Sequence, residues 1–469
     1  MNVWPLQFRK IGENDLLFSD DSGSFFRSDD LFLDRYIQGA LTHEDAEFLA
    51  YNGQAFETDG DFAFSGFASR WAKRINTAGD LSYFILVPTL RCNLMCDYCQ
   101  VSRAAENASG FDWDRDTLEQ VINLLDKQKA NQVKVEFQGG EPLLRLDLLD
   151  AIRNFCRSRF EAAEFVVCTN LQTVSEEAWQ FLEAPDTHVS TSFDGTSKFH
   201  LKQRTKTTTV QRQFEANLDV ALTRLGVDRV SALPTIDPSD CPDPAAVIHA
   251  FAARSLTSIY LRRINYQGFA RKKYGFDSAL VDWRQYYRRF IAALIEYNTT
   301  ADVPMEEYYL THILRRILQS GHNNHVDLRN PNWLGKDLLV IDFNGQLYPT
   351  DEARMVSRIG KIDLSIGSLE DGIDANRVAT LNSNVSNFDD PDCVHCAYKA
   401  YCGLDPIDDL SRYGRVDLPR HQTDHCKSHL DLFDYAFSLL YSADPTVQKS
   451  LAIWIGVPNY NPKIAPRTL

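Results

Sequence analysis

The chain lacks any uninterrupted apolar run long enough to cross a bilayer, so nothing in it reads as a membrane-spanning helix. Its first ten residues, MNVWPLQFRK, lack the apolar core of a secretory signal, and a cytoplasmic protein is expected. Positive charge is in deficit. With 49 Lys and Arg against 64 Asp and Glu, the net charge of −15 disfavours a protein that tracks a nucleic-acid backbone, which needs cationic surface to replace counterions. A small molecule or a basic peptide is the better-matched partner, and neither nucleic acid nor membrane is expected. Low-complexity segments and internal repeats are absent too, beyond an alternation of strand-like and helix-like runs. At 469 residues, 44% hydrophobic and 24% charged, the chain is long enough for two or three ordinary folded domains. What is plentiful is cysteine. Ten of them in a cytoplasmic chain argue for metal or redox chemistry over a disulfide framework.

Strand-like runs recur at 81–88, 133–138, 164–169, 188–193, 229–236 and 257–265, with amphipathic stretches such as 114–130 and 214–226 between them. This alternation reads as parallel βα units. Six units predict an α/β fold built on a partial (β/α)6 barrel, with its chemistry in loops after the C-terminal strand ends. Residues 1–78 read as a separate module of a hairpin over 15–30 and two helices, either a peptide-recognition element or a cap on the barrel. The barrel is expected over 79–300, bridging helices and a hairpin over 301–384, and a cysteine-rich domain with a C-terminal helix and an irregular end over 385–469.

Cys92, Cys96 and Cys99 form a CxxxCxxC loop directly after the first predicted strand. Three thiolates hold three irons of a [4Fe–4S] cube and leave the fourth iron open to an outside ligand. A zinc knuckle or three core thiols is the competing reading. The turn FQGGEP follows the second strand. In it Gly139 and Gly140 permit close backbone approach, Glu141 adds a carboxylate suited to an ammonium group, and Pro142 stiffens the exit. CTNLQT follows the third strand and STSFDG the fourth, with His200 and Arg204 beyond; Arg204 is able to pair a carboxylate in a bidentate way. Near the C-terminus Cys393, Cys396 and Cys402 form CxxCxxxxxC and Cys426 follows, enough for a complete [4Fe–4S] or Zn²⁺ site. Cys168 reads as a core residue, and His421, His425 and His429, at helical spacing around Cys426, as a solvated helix face or loop, with a metal face as the alternative.

CNLMCDYC together with GGEP resembles the radical S-adenosylmethionine (AdoMet) superfamily. The resemblance implies that AdoMet binds the open iron of a [4Fe–4S] cluster on Cys92, Cys96 and Cys99 and is cleaved to a 5′-deoxyadenosyl radical. It also implies contacts to AdoMet from Tyr98, Gln138, Gly139, Gly140, Glu141, Pro142, Asn170, Ser192, Asp194 and Arg204. Leu171 stands where the family's turn has glycine. The C-terminal cysteines resemble the SPASM domain of peptide-modifying radical enzymes, which often carries two auxiliary clusters. Thr350 and Pro406 stand at two positions where that pattern has cysteine, both serving the same cluster. A single auxiliary [4Fe–4S] cluster on Cys393, Cys396, Cys402 and Cys426 is therefore implied, unless an outside ligand or Asp351 completes a partial second site.

CQVSR, YLRRINYQGFARKK and NGQLYPTDEARM resemble the His-Xaa-Ser system radical maturase family. That implies a precursor peptide with His-Xaa-Ser repeats, a second radical maturase, a small accessory protein and an electron donor. The implied reaction is hydrogen abstraction followed by oxidation, such as a crosslink, with Asp194, Asp351 and Glu352 as candidate bases. A formylglycine-type sulfatase maturase, a radical enzyme acting on a small metabolite and a non-catalytic peptide-binding scaffold are the competing functions. Epimerisation would need a donor thiol, and no cysteine is expected in such a barrel position. The basic loop 262–273 is a candidate peptide contact.

Overall fold

The computed structural model describes residues 1–265, 267–271, 280–321 and 325–457. Strands β1 (Tyr83–Leu86), β2 (Gln132–Phe137), β3 (Ala162–Cys168), β4 (Thr187–Ser192) and β5 (Val230–Leu233) pair in parallel in the spatial order 5-4-3-2-1. Each alternates with period two. Val133, Val135, Phe137, Phe165 and Val167 pack into the main core, while Glu136 and Cys168 face a cavity. Helices such as Arg115–Asp126, capped by Asp114, and Thr208–Leu225, capped by Thr207, connect the strands. This is the predicted α/β partial barrel.

Strand β6 (Leu338–Ile341) pairs in parallel with the free side of β1, and β7 (Gln346–Tyr348), β8 (Gly367–Ser368) and β9 (Gly372–Ile373) continue from it antiparallel. The hairpin expected as a bridge thus covers a sheet edge that would otherwise present unpaired backbone groups. The fifth predicted strand is interrupted at Pro234, which has no N–H to donate to a ladder. Beyond it, Thr235–Ile236 pairs with Arg262–Arg263, and Ser258–Ile259 pairs with Glu306–Glu307, both in parallel. The predicted sixth strand is therefore two short pieces outside the main sheet. Tyr266, Lys272 and Lys273 of the predicted basic loop lie outside the described residues.

The N-terminal hairpin pairs Leu16–Ser19 with Phe25–Ser28, and Gln7–Lys10 adds an unpredicted third strand. Helices Asp30–Ile37 and His43–Tyr51 follow as expected, and Phe62–Arg74 is an additional one. The module docks on the cysteine-rich region: Arg9 donates twice to Asp434 at 2.6 Å, Ser19 Oγ donates to the Ala397 carbonyl at 2.6 Å, and the Tyr401 hydroxyl donates to the Gly23 carbonyl at 3.1 Å. No described residue before Tyr83 lines the cavity. At the other end, helix Pro445–Ile455 stands where an irregular end was expected.

Glu307 joins the barrel to the helices behind it. Its buried carboxylate caps helix Tyr308–Leu318 by accepting from the Leu310 N–H at 2.7 Å, and it also accepts from the Leu261 N–H at 3.1 Å and from the Tyr287 hydroxyl. Substitution E307A orphans all three donors and is expected to cost about 3 kcal/mol, read as a lower unfolding midpoint in urea. Burial pushes this carboxyl up from 4.5 to about 7. With the folded value raised, its contribution to stability is complete below pH 4.5 and is lost as pH rises through 7. E307Q cannot ionise, so its stability should fall less than that of the wild type across this window.

Candidate active site

The loops after β1 to β5 converge on a cavity of about 790 Å³. Cys92, Cys96 and Cys99 all line it, as free thiols, on the loop after β1. That loop is held by the turn after β2. The Gln138 N–H donates to the Leu86 carbonyl at 2.8 Å, the Gly140 N–H to the Thr89 carbonyl at 3.0 Å, and the Glu141 N–H to the Arg91 carbonyl at 2.8 Å. The approach is so close that a Cβ on Gly139 would lie 2.2 Å from the Thr89 oxygen. One on Gly140 would lie 2.2 Å and 2.4 Å from the Arg91 and Leu90 oxygens. Gly139 also has φ +130°, so both positions require glycine.

The next loops continue the scaffold. The Glu141 carboxylate accepts from the Thr169 hydroxyl and the Asn170 N–H, both at 2.8 Å, and from the Leu143 N–H at 3.1 Å. It ties the β2 and β3 loops together and does not line the cavity, and burial raises it to about 7. The Asn170 side-chain amide donates to Asn93 at 2.8 Å and to the Cys92 sulfur at 3.6 Å. Leu171, at the position of the expected glycine, nevertheless takes φ +53° with its side chain fully buried.

Tyr98, Asp194 and Arg204 form a closed set. The Tyr98 hydroxyl donates to Asp194 at 2.6 Å, Arg204 Nη1 donates to the Tyr98 oxygen at 3.0 Å, and the Thr235 N–H donates to Asp194 at 3.2 Å. Asp194 is fully buried, which raises its carboxyl, and it does not line the cavity. Of the three candidate bases it is a positioning group. Arg204 sits in a π-helical turn, Leu201–Thr205, and lines the cavity; its Nε is buried with no partner. His200 stacks on Phe214 with ring centroids 4.1 Å apart, and burial lowers its pKa well below the ordinary value. Ser192 and Gln138 line the cavity.

Several residues escape the sequence reading. Cys168 is not a core thiol: it lines the cavity and donates to Glu136 at 3.1 Å. Glu136 also accepts from the Tyr83 hydroxyl and from Gln138 Nε2 at 2.7 Å. Asp351 and Glu352 line the cavity as well, and Asp351 accepts from Arg354 at 2.9 Å. The signal for Tyr83, Glu136 and Cys168 is their shared inward phase on three neighbouring strands. A Cβ on Gly268 would lie 2.0 Å from the Gln100 carbonyl oxygen, and the Phe269 N–H donates to the Cys99 carbonyl at 3.0 Å, so the sixth unit also holds the cysteine loop.

Cys393, Cys396, Cys402 and Cys426 gather closely enough to raise one another's pKa, although burial is the larger cause. Among the described residues, the one group of three or more donors within 4.8 Å of each other is Cys402, His425 and His429. The four sulfurs are thus spread wider than a single tetrahedral ion allows, with Zn–S bonds of about 2.3 Å, and Cys92, Cys96 and Cys99 are spread likewise. Both thiol sets fit a cluster better than one ion. His425 and His429 are no solvated face. His429 is buried, shares a 2.7 Å hydrogen bond with the Tyr309 hydroxyl, and lines the cavity with His425; only His421 is exposed.

Residues 86–236 match the family model described as Radical SAM superfamily. An uncharacterized protein of Methanocaldococcus jannaschii is 29% identical over 117 residues, 24% of this chain and 39% of that protein. A probable GTP 3′,8-cyclase of the same organism is 29% identical over 160 residues, 33% of this chain and 51% of that protein. The chain thus spans about half the length of these relatives or less. Among solved structures, native anSMEcpe with bound AdoMet is similar at TM-score 0.60 and 18% identity, covering 76% of this chain and 97% of that one. Native anSMEcpe with bound AdoMet and Cp18Cys peptide is similar at TM-score 0.58 and 17% identity, covering 76% and 96%. The likeness is one of fold.

Because the Gly140 Cβ would collide with backbone, G140A must displace the loop bearing Cys92. The variant should bind about four fewer irons per chain than the wild type, measured by iron analysis after anaerobic reconstitution.

Proposed function

We propose that this chain is a radical AdoMet enzyme that oxidises a side chain of a ribosomally made peptide. The observation that carries the reading is the convergence of Cys92, Cys96 and Cys99, each a free thiol on one cavity wall, with a two-glycine turn locked beneath them. Burial pushes the Cys92 thiol up to about 12 and raises Cys96, so these sulfurs need a metal to ionise, as cluster ligands do. When bound, AdoMet on a reduced [4Fe–4S] cluster supplies a 5′-deoxyadenosyl radical that abstracts a hydrogen.

The residues around it have distinct tasks. Gly139 and Gly140 offer an approach without side chains for the amino acid end of AdoMet. The unpartnered Nε of Arg204 is suited to its carboxylate. Tyr98 is held in place by Asp194 and is available to the adenine through its ring. Asp351, facing the cavity beside Glu136 and Cys168, takes the proton released as the substrate is oxidised. Cys393, Cys396, Cys402 and Cys426 hold the centre to which the second electron goes, with His425 and His429 between that centre and the cavity.

Two peptide oxidations compete. The fold shared with AdoMet- and peptide-bound anSMEcpe supports a formylglycine-type maturase, in which a Ser or Cys becomes an aldehyde. The subfamily stretches noted in the sequence support a crosslink within a His-Xaa-Ser repeat. Anaerobic reaction with AdoMet, a strong reductant and a Ser-containing His-Xaa-Ser peptide separates them. A peptide that loses a pair of hydrogens and is trapped by a hydrazide carries an aldehyde; the same loss without trapping is a crosslink. Peptide of unchanged mass, with AdoMet cleaved, sinks both oxidations. D351N should lower product formation about a hundredfold or more while AdoMet affinity holds, measured by 5′-deoxyadenosine yield and equilibrium dialysis.

A further inference from the structure

Away from the cysteine loops, one region of the cavity wall carries carboxylates with no Lys or Arg at ion-pair distance among the described residues. It lies where four segments meet: the turn bearing Asp327, the stretch at Asn332, the first turn of helix Asp351–Arg358, and the N-cap of helix Pro406–Tyr413 at Asp405. Asp327, Glu352 and Asp405 all line the cavity; the charge of Asp327 bears on both Glu352 and Asp405, and that of Glu352 on Asp405. Three of the arginines nearby are committed elsewhere, whereas Arg262 also lines the cavity, with its Nε unpartnered and its charge acting on His325. Arg329 pairs with Asp337 at 3.0 Å, Arg354 with Asp351 at 2.9 Å, and Arg412 with Asp408 at 2.8 Å and Asp424 at 3.1 Å. Among the described residues, no Lys or Arg comes within ion-pair distance of Asp327, Glu352 or Asp405. His325 lies 3.8 Å from Asp327, and burial favours its neutral form.

An independent sign comes from Asn332, which is 5% exposed and lines the same cavity. Its amide nitrogen donates to the Leu404 carbonyl at 3.0 Å, next to Asp405, which fixes which end of the amide is which. The remaining Oδ1 is buried and has no donor. Buried acceptors are normally satisfied, so this one and its carboxylate neighbours call for a ligand made of donors.

A metal ion is the wrong size for the site. Oxygens around one Ca²⁺ or Mg²⁺ lie within about 5 Å of each other, whereas the one donor group that compact among the described residues is Cys402, His425 and His429. Acceptors spread more widely suit an organic cation.

We propose that this region binds a cationic side chain of the substrate peptide, a guanidinium, ammonium or imidazolium, with Glu352 and Asp327 as its charge partners and Asn332 Oδ1 as a further acceptor. The proposal rests on the peptide reading above and adds what it leaves open, namely which residues of the peptide are recognised. Glu352 adjoins Asp351, so the cation is held beside the residue to be oxidised. The net charge of −15 favours approach of a basic peptide.

The test is fluorescence anisotropy with fluorescein-labelled His-Xaa-Ser peptides in which Xaa is Arg, Lys, citrulline or norleucine. The protein is iron-reconstituted and AdoMet-loaded, at about pH 8, where a free imidazole is neutral. Arg or Lys peptides should bind about tenfold tighter than their neutral counterparts, with the gap closing as salt rises. E352Q, which removes a charge without changing shape, should weaken only the cationic peptides, by about tenfold, and D327N should act in the same direction. Equal affinity for charged and neutral peptides, or an equal effect of E352Q and D327N on both kinds, overturns the pocket while leaving the peptide reading intact. If no peptide binds and AdoMet cleavage responds only to a small metabolite, the peptide reading falls and this inference falls with it.

Discussion

Two glycines lying against three carbonyl groups set the geometry on which the rest of the cavity depends. A CxxxCxxC loop has no regular structure of its own, and all three of its cysteines nonetheless line one cavity. The solution is to hydrogen-bond the start of that loop to the turn after β2, at a distance only glycine permits. The third, fourth and sixth units add restraints to the same loop: Asn170 reaches Cys92 and Asn93 from β3, Asp194 holds Tyr98 from β4, and Phe269 bonds the Cys99 carbonyl from the sixth unit. Glu141, which would have served as a bare counter-charge, is instead a junction between the second and third loops. The rigid sheet supplies precision that the loop lacks.

The cysteines, the two-glycine turn and the strand-end polar motifs are legible because their spacing along the chain repeats the spacing of the βα units. A residue directly after a strand in a parallel barrel has few other places to be. The inward-facing set is harder. Tyr83, Glu136 and Cys168 lie on strands whose apolar content invites a core assignment, and period two alone does not say which phase is the cavity. Cys168 reads as core for that reason and stands on the cavity wall instead. The broken sixth strand follows from Pro234 and from pairings to residues some thirty to fifty positions away, which no local pattern carries. The union of Asp327, Asn332, Glu352 and Asp405 is likewise a product of packing among segments whose order in the sequence says nothing of their meeting.

The electrostatics of the interior follow one rule. Carboxylates are buried where hydrogen bonds or guanidinium groups compensate them, as with Glu141 by backbone donors, Asp194 by Tyr98 and Arg204, and Asp351 by Arg354. Glu352, on the cavity wall, has hydrogen-bond donors but no Lys or Arg at ion-pair distance among the described residues, and burial is the chief cause that raises its carboxyl to about 7. A barrel that must admit a substrate cannot satisfy all its polar groups internally, and the groups left over describe what is admitted.

Leu171 shows how such a site becomes hard to change. Its left-handed backbone costs about 1–2 kcal/mol, while its buried side chain contributes about 1.5–3 kcal/mol to the main core. Restoring glycine relaxes the backbone and empties the core position, whereas any other side chain keeps the strain and must also fit the hole. The turn therefore occupies a local optimum in sequence space whose neighbours are all worse, and drift at this position is blocked from both sides until the packing around it, which includes the helix bearing Asn217, changes first.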